Sequence, residues 1–128
     1  MEKRENEIAS IIVDSAIEVH RTLGGPGLLE SVYEEALCFE LQQRGLHISR
    51  QVSLPVHYKG VKLASPLIMD LLVEDIVVVE NKSTTQYNAI FEAQCLTYLR
   101  LAGLKLGLVI NFGERWVKNG IHRVANGL

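Results

Sequence analysis

Three charged side chains lie where an apolar strand pair should be buried. Leu67 to Ser83 reads Leu-Ile-Met-Asp-Leu-Leu-Val-Glu-Asp-Ile-Val-Val-Val-Glu-Asn-Lys-Ser, two hydrophobic runs around a short acidic turn. Asp70 sits inside the first run, and Glu80 and Lys82 close the second. Buried charges are costly unless they are paired or bind a metal. Asp70 and Glu80, with the main-chain carbonyl of Asn81, form a set of oxygen ligands suited to a hard cation such as Mg²⁺ or Mn²⁺. Such an ion polarises a phosphate oxygen and lowers the pKa of a water. Lys82 can orient that water, hold a phosphate oxygen or stabilise developing charge. A glutamate at the start of a nearby helix can hold or orient a second ion or its water. The plain alternative is a structural ion pair of Lys82 with Asp70 or Glu80.

Strand parity makes the chemical reading testable. A two-residue turn at Glu74-Asp75 pairs Asp70 with Val79 and sends Asp70 and Glu80 to opposite faces. A three-residue turn centred on Asp75 pairs Asp70 with Glu80 on one face. Glu80 and Lys82 are two apart and share a face in either case.

The elements that position these residues follow from periodicity. Ile8, Ile11, Ile12, Ala16 and Val19 predict an amphipathic helix from Glu5 to about Leu23, ended by Gly24-Gly25-Pro26-Gly27. His20 and Arg21 in its last turn suit capping or packing. A second helix, from about Leu28 to Arg44, has an apolar arc of Leu29, Val32, Tyr33, Ala36 and Leu37, with Glu30 and Glu34 sharing one edge. Arg44 can pair with Glu40. His47–Tyr58 reads as a strand interrupted at Pro55, which suits a sheet edge. After the Lys59-Gly60 turn, a strand starts at Val61, breaks at Ala64-Ser65-Pro66 and resumes at Leu67. Ile76–Val79 is apolar at both parities, the mark of a strand covered on both faces. A third helix runs from Gln86 or Tyr87 to Ala102, with an arc of Tyr87, Ile90, Phe91, Gln94, Tyr98 and Leu101. Its opposite side carries Leu96 and Leu99, which point to a homodimer contact. Leu104–Phe112 predicts a central strand, and a final small strand follows Lys118-Asn119-Gly120. The order is α-α-β-β-β-α-β-β, a mixed α/β sheet with helices on its faces.

Composition narrows the classes. The chain has 128 residues and 48% hydrophobic content, enough for one domain with a real core. Its formal charge of −2 argues against a strongly basic nucleic-acid binder, although Arg115, Lys118, His122 and Arg123 make the tail locally basic. No apolar run is long enough to span a membrane, and the mixed-charge N-terminus is unlike a signal peptide. Cys38 and Cys95 read as buried free thiols of a reducing cytoplasm.

The arrangement Asp70…Glu80-Asn81-Lys82 resembles the PD-(D/E)XK nuclease superfamily. More narrowly, Gly27-Leu28-Leu29-Glu30-Ser31-Val32-Tyr33 is similar to the motif that names the GxxExxY proteins. The likeness extends from about His20 to Asn126 through Glu35-Ala36-Leu37, Val56–Gly60, Leu71–Glu74 and Leu106–Gly113. Gln94-x-x-x-Tyr98 resembles a helix motif that lies beside the metal and DNA in some of these nucleases.

The resemblance implies a single domain over 1–128, with an N-terminal helix at 1–23 and a restriction-endonuclease-like core (α-β-β-β-α-β) at 28–124. It implies Mg²⁺-dependent (or Mn²⁺-dependent) hydrolysis of nucleic acid, DNA in the first place. Asp70, Glu80 and the Asn81 carbonyl would hold the metal, Lys82 would be the catalytic lysine and Glu30 the helix acid, with Gln94, Tyr98 and Tyr33 on the substrate side. Two positions depart from the pattern. Ile68 stands where an arginine is common, and Asn81 where the middle residue of Glu-x-Lys is often apolar. The rival expectation is an inactive nuclease-like fold that serves as a dimeric interaction or nucleic-acid-binding module.

Overall fold

A computed structural model describes residues 3–128; Met1 and Glu2 of the mixed-charge N-terminus lie outside them. The helices are α1 (Arg4–Thr22), α2 (Glu30–Gln43) and α3 (Ile90–Ala102). The strands are β1 (Ile48–Leu54), β2 (His57–Tyr58), β3 (Val61–Lys62), β4 (Leu67–Val73), β5 (Val77–Lys82), β6 (Leu106–Asn111) and β7 (Ile121–Ala125). Five of the strands form one mixed sheet in the order β1-β4-β5-β6-β7. Only β5 and β6 run parallel. The β5-α3-β6 crossover permits this, because parallel neighbours need a long connection. The fold is the mixed sheet between helices expected of a restriction-endonuclease-like core.

The sheet separates two cores. Leu71, Val73, Val77, Val79, Leu108 and Ile110 pack against α1 and α2. Met69, Val78 and Val109 pack against Cys95 and Leu99 of α3. β5 and β6 are covered on both faces, which is why their apolar residues fall at both parities. β1 lies at the edge. Pro55 ends it, and His57–Tyr58 pairs instead with Val61–Lys62 in a separate two-stranded ribbon.

The outward face of α3 departs from expectation. Leu99 is wholly buried, while Ile90, Gln94 and Leu101 are exposed, so Leu99 cannot form a dimer contact. Gly107 in β6 is the cause. A Cβ there would lie 2.5 Å from Cys95 Sγ and 3.6 Å from Leu99 Cδ1. The bare glycine leaves a hollow in the sheet, and α3 turns Cys95 and Leu99 into it. The helix also starts later than expected, at Ile90, whose amide is taken by the Asn88 side chain at 2.9 Å.

Candidate active site

The β4–β5 hairpin has the odd turn. Its register pairs Val73 with Val77 and Leu71 with Val79, which continues to place Asp70 opposite Glu80. Glu74 and Asp75 both take positive φ, 52° and 60°. The Glu74 side chain is fixed by Arg4 at 2.6 Å and by the His47 amide at 2.6 Å, which holds this uncommon backbone in place.

Beyond Leu71–Val79 the two strands no longer exchange ordinary ladder bonds. The Asp70 amide donates to Glu80 Oε2 at 2.8 Å, and the Asn81 amide donates to Asp70 Oδ2 at 2.8 Å. Carboxylates have replaced carbonyls as the acceptors. On the other side of β4, Arg50 pairs with Leu71 and Val52 with Met69, while Gln51, opposite Asp70, has φ 51°. Met69 and Leu71 are two apart, yet they lie in different cores, as do Ile48 and Val52. Side-chain alternation therefore reverses in both strands at the Gln51–Asp70 position. The backbone makes a local half-turn there, and Asp70 sits on it.

Glu80 and Lys82 keep the α3 side of β5. The Lys82 ammonium rests 4.6 Å from the centre of the Phe91 ring. Among the described residues no carboxylate lies within 4 Å of it, so the structural ion pair is not formed. Its charge nonetheless favours ionisation of both Asp70 and Glu80.

Burial dominates the electrostatics. It raises the Asp70 carboxyl above its usual range, against the pull of the Asn81 amide, Lys82 and Gln51. Burial, then the charge of Asp70, pushes Glu80 up to about 8. Tyr98 on α3 is raised by its own burial and then by Glu80 and Asp70, which puts its hydroxyl within their field. Cys95 is pushed up to about 12 by burial and by Glu80, so it is an inert thiol.

A buried carboxylate, Glu80, and a half-buried one, Asp70, that repel each other form a natural cation seat. Asp70 Oδ2 and Glu80 Oε2 are committed to backbone amides, while Glu80 Oε1 takes no hydrogen bond among the described residues and the Gln51 side chain approaches the Asp70 carboxylate. A strand residue directs its N–H and C=O to the same neighbour. The Asn81 carbonyl therefore faces β4, on the side of Asp70. This all-oxygen set fits Mg²⁺ or Mn²⁺. No cluster of three His, Cys, Asp or Glu side chains suited to a metal occurs among the described residues. Sparse ligation by protein is usual for Mg²⁺, which keeps several of its waters.

The helix acid and the substrate-side residues are placed less simply. Glu30 is the first residue of α2 and is exposed. Glu34, one turn on, is buried and raises the pKa of Glu80. It accepts Arg50 Nη2 at 3.0 Å and Gln51 Nε2 at 2.8 Å. Tyr98 is half-buried near the carboxylates, whereas Gln94 points outward. Tyr33 corrects the expectation of substrate contact: it is wholly buried. Its ring stacks on Phe112 at 4.6 Å, and its hydroxyl donates to Gly25 O at 2.7 Å and accepts from the Leu28 amide at 3.2 Å. A hydroxyl that spans the Gly24–Gly27 loop has no reach to substrate.

Glu34, Arg50 and Gln51 were not singled out by spacing as a group. The available signal was Arg50-Gln51, a polar pair midway along a strand otherwise marked by Ile48, Val52 and Leu54.

The loop after Lys82 is stitched to the end of β6. Buried Asn111 accepts the amides of Thr84 and Gly113 on Oδ1, each at 3.0 Å, and donates Nδ2 to Thr84 O at 3.0 Å. Gly113 is pressed against Thr84: a Cβ there would meet Thr84 O at 2.3 Å.

No curated protein and no solved structure matches the chain. A family model described as the PD-(D/E)XK nuclease superfamily matches residues 6–124. That span takes in all of α2, α3 and the five-stranded sheet except Ala125, and it includes Asp70, Glu80 and Lys82 on their opened hairpin; the chain belongs to the PD-(D/E)XK nuclease superfamily.

Proposed function

We propose that the protein hydrolyses phosphodiester bonds in nucleic acid, with DNA as the first substrate to test, and that it belongs to the GxxExxY group within the superfamily. The observation that carries this reading is the exchange of backbone amides between Asp70 and Glu80. It holds two repelling carboxylates side by side, with Glu80 Oε1 unused. Asp70, Glu80 and the Asn81 carbonyl would hold Mg²⁺ or Mn²⁺. When bound, the ion supplies polarisation of a phosphoryl oxygen and a lowered pKa for water. Lys82 stabilises charge on the phosphoryl group, and Phe91 beneath it limits where its ammonium can go. Tyr98 borders the substrate side and Gln94 the outer rim. Glu30 remains in reach of solvent as a helix acid, and Glu34 steadies the acidic pair through Gln51 and Arg50.

Hydrolysis of single-stranded and duplex DNA and RNA with Mn²⁺ tests the proposal, with calorimetry of Mn²⁺ binding alongside. Lys82→Ala should lower the rate by about 10²–10³ and leave Mn²⁺ binding in place. Asp70→Ala and Glu80→Ala should lose both. Hydrolysis unchanged in Asp70→Ala and Lys82→Ala would sink the assignment.

A second reading, a non-catalytic dimeric module in the cytoplasm, is favoured by a different face from the one expected. Leu29, Val32 and Phe39 form an exposed apolar stripe along α2, with Phe39 62% exposed. Sedimentation of the wild type and Phe39→Glu decides it: a dimer that dissociates on this substitution supports the module, and a monomer removes it.

A further inference from the structure

The residues after β6 build a second feature that the hydrolytic site does not use. A cavity of about 670 Å³ lies between the end of α1, the Gly24–Gly27 loop and Arg115–Asn119. That is the size of a small-ligand pocket. Arg21, Arg115 and Lys118 line it, and no carboxylate does. Arg21 is already paired with Glu18, so the uncompensated charge belongs to Arg115 and Lys118, which have no carboxylate within 4 Å among the described residues. Trp116 stands 63% exposed at the rim, with the Arg115 guanidinium 5.4 Å from its ring centre. His20 is nearly buried in the wall, one ring nitrogen 3.1 Å from Phe112 O.

Position links this cavity to the hydrolytic site. β5 and β6 are parallel, with Lys82 beside Asn111, so their C-terminal ends share one sheet edge. Arg115–Asn119 follows Asn111 on that edge. A neighbouring cavity is lined by Pro26 and by Ser83–Thr85, the residues directly after Lys82, and Pro26 also lines the larger cavity. The two cavities thus share Pro26, and their lining residues run from Ser83, next to Lys82 in the chain, to Trp116.

We infer that this cavity seats an unpaired nucleotide of a single-stranded nucleic-acid segment. The base stacks on Trp116, and Arg115 and Lys118 take the flanking phosphates. An exposed indole with unpaired cations beside it suits single strands, because every base offers a π-face and a duplex keeps its faces hidden. The local basic patch also accounts for nucleic-acid affinity in a chain whose formal charge is −2. The inference rests on the proposed hydrolysis of nucleic acid and narrows its substrate to one with an unpaired stretch.

Trp116 is the only tryptophan, so its fluorescence reports on the cavity directly. Wild-type protein in EDTA is titrated with a short oligothymidylate and with a duplex of equal length, and anisotropy of the labelled oligonucleotide is read in parallel. The expected result is saturable quenching by the single strand and less by the duplex. Trp116→Ala, Arg115→Ala and Lys118→Ala should each weaken binding by about 10-fold, and the two cation variants should flatten its salt dependence. Asp70→Ala should quench like wild type. Binding that leaves Trp116 emission unchanged, or no binding, overturns the cavity; in the first case the proposed reaction stands. Quenching equal for duplex and single strand overturns the strand preference. Quenching without hydrolysis under any metal overturns the proposed reaction and leaves the cavity intact.

Discussion

Glu34 of α2 holds Arg50 of β1 in a 3.0 Å ion pair, with the carboxylate buried and the guanidinium partly in water. The pair is therefore asymmetric. Arg50→Ala leaves a buried carboxylate with Gln51 as its remaining donor, and should cost about 2–3 kcal/mol. Glu34→Ala releases an arginine that water can reach, and should cost about 1 kcal/mol. Urea unfolding of the two variants measures the difference, and equal losses would contradict it. Arg50 also supplies a cation one strand away from Asp70, where Ile68 departs from the usual arginine. Under the proposed reaction, its loss should weaken hydrolysis as well as stability.

Without metal, stability should fall as the solution becomes alkaline. Glu80 titrates at about 8 in the fold against an ordinary 4.5, so folding favours its protonated form. That contribution is complete below the ordinary value and is lost as pH rises through about 8. The total is on the order of 2–4 kcal/mol. Melting temperatures in EDTA from about pH 5 to about pH 9 should decline for the wild type. They should decline less for Glu80→Gln, which keeps an acceptor for the Asp70 amide but carries no charge. Adding Mn²⁺ should restore the wild type at the alkaline end and do little for the variant.

Asn81 is 1% exposed, and neither Oδ1 nor Nδ2 finds a hydrogen bond among the described residues. Val77 and Val79, on the same face of β5, belong to the α1–α2 core. An unsatisfied buried amide costs about 1–3 kcal/mol. Asn81→Val should raise stability by roughly 1 kcal/mol. Mn²⁺ affinity should be retained, because only the main-chain carbonyl faces the carboxylates. Calorimetry of unfolding and of Mn²⁺ binding on the same variant checks both halves.

Gly113→Ala should be among the more damaging single-methyl additions in this chain. The new Cβ would fall 2.3 Å from Thr84 O and 2.5 Å from Thr84 N, both backbone atoms that cannot step aside. A loss of about 2–3 kcal/mol is expected. Hydrogen exchange at the Thr84 amide should speed up, since its bond to Asn111 must open to make room. Exchange unchanged at Thr84 would refute the account.

Much of this was legible because strand parity is a strict rule. The apolar runs around Glu74-Asp75 reduced the hairpin to two registers, and the structure takes the odd one. The helices were harder. Helical stripes are broad, and α3 offers two, one through Ile90 and Leu101 and one through Phe91, Cys95 and Leu99. The choice between them lies with Gly107, seventeen or fewer positions away from every residue concerned but on another element, and periodicity does not register it. Glu30 and Glu34 share a helix edge in sequence, and only the docking angle of α2 buries the second. The half-turn at Gln51–Asp70 has no sequence signature, because neither residue is a glycine or a proline.

Asp70 and Glu80 also serve the sheet. They fill two backbone amides that the opened hairpin would otherwise leave without acceptors. A descendant chain that abandoned the reaction would still have those amides to satisfy. Selection for folding alone then retains both acids, so their presence in a relative does not report a working enzyme. The Lys82 ammonium fills no backbone hydrogen bond of the sheet: it lies against the face of Phe91, with no carboxylate within 4 Å among the described residues. Under the proposed reaction, its fate, and not that of the carboxylates, is the marker that would separate active lineages from silent ones.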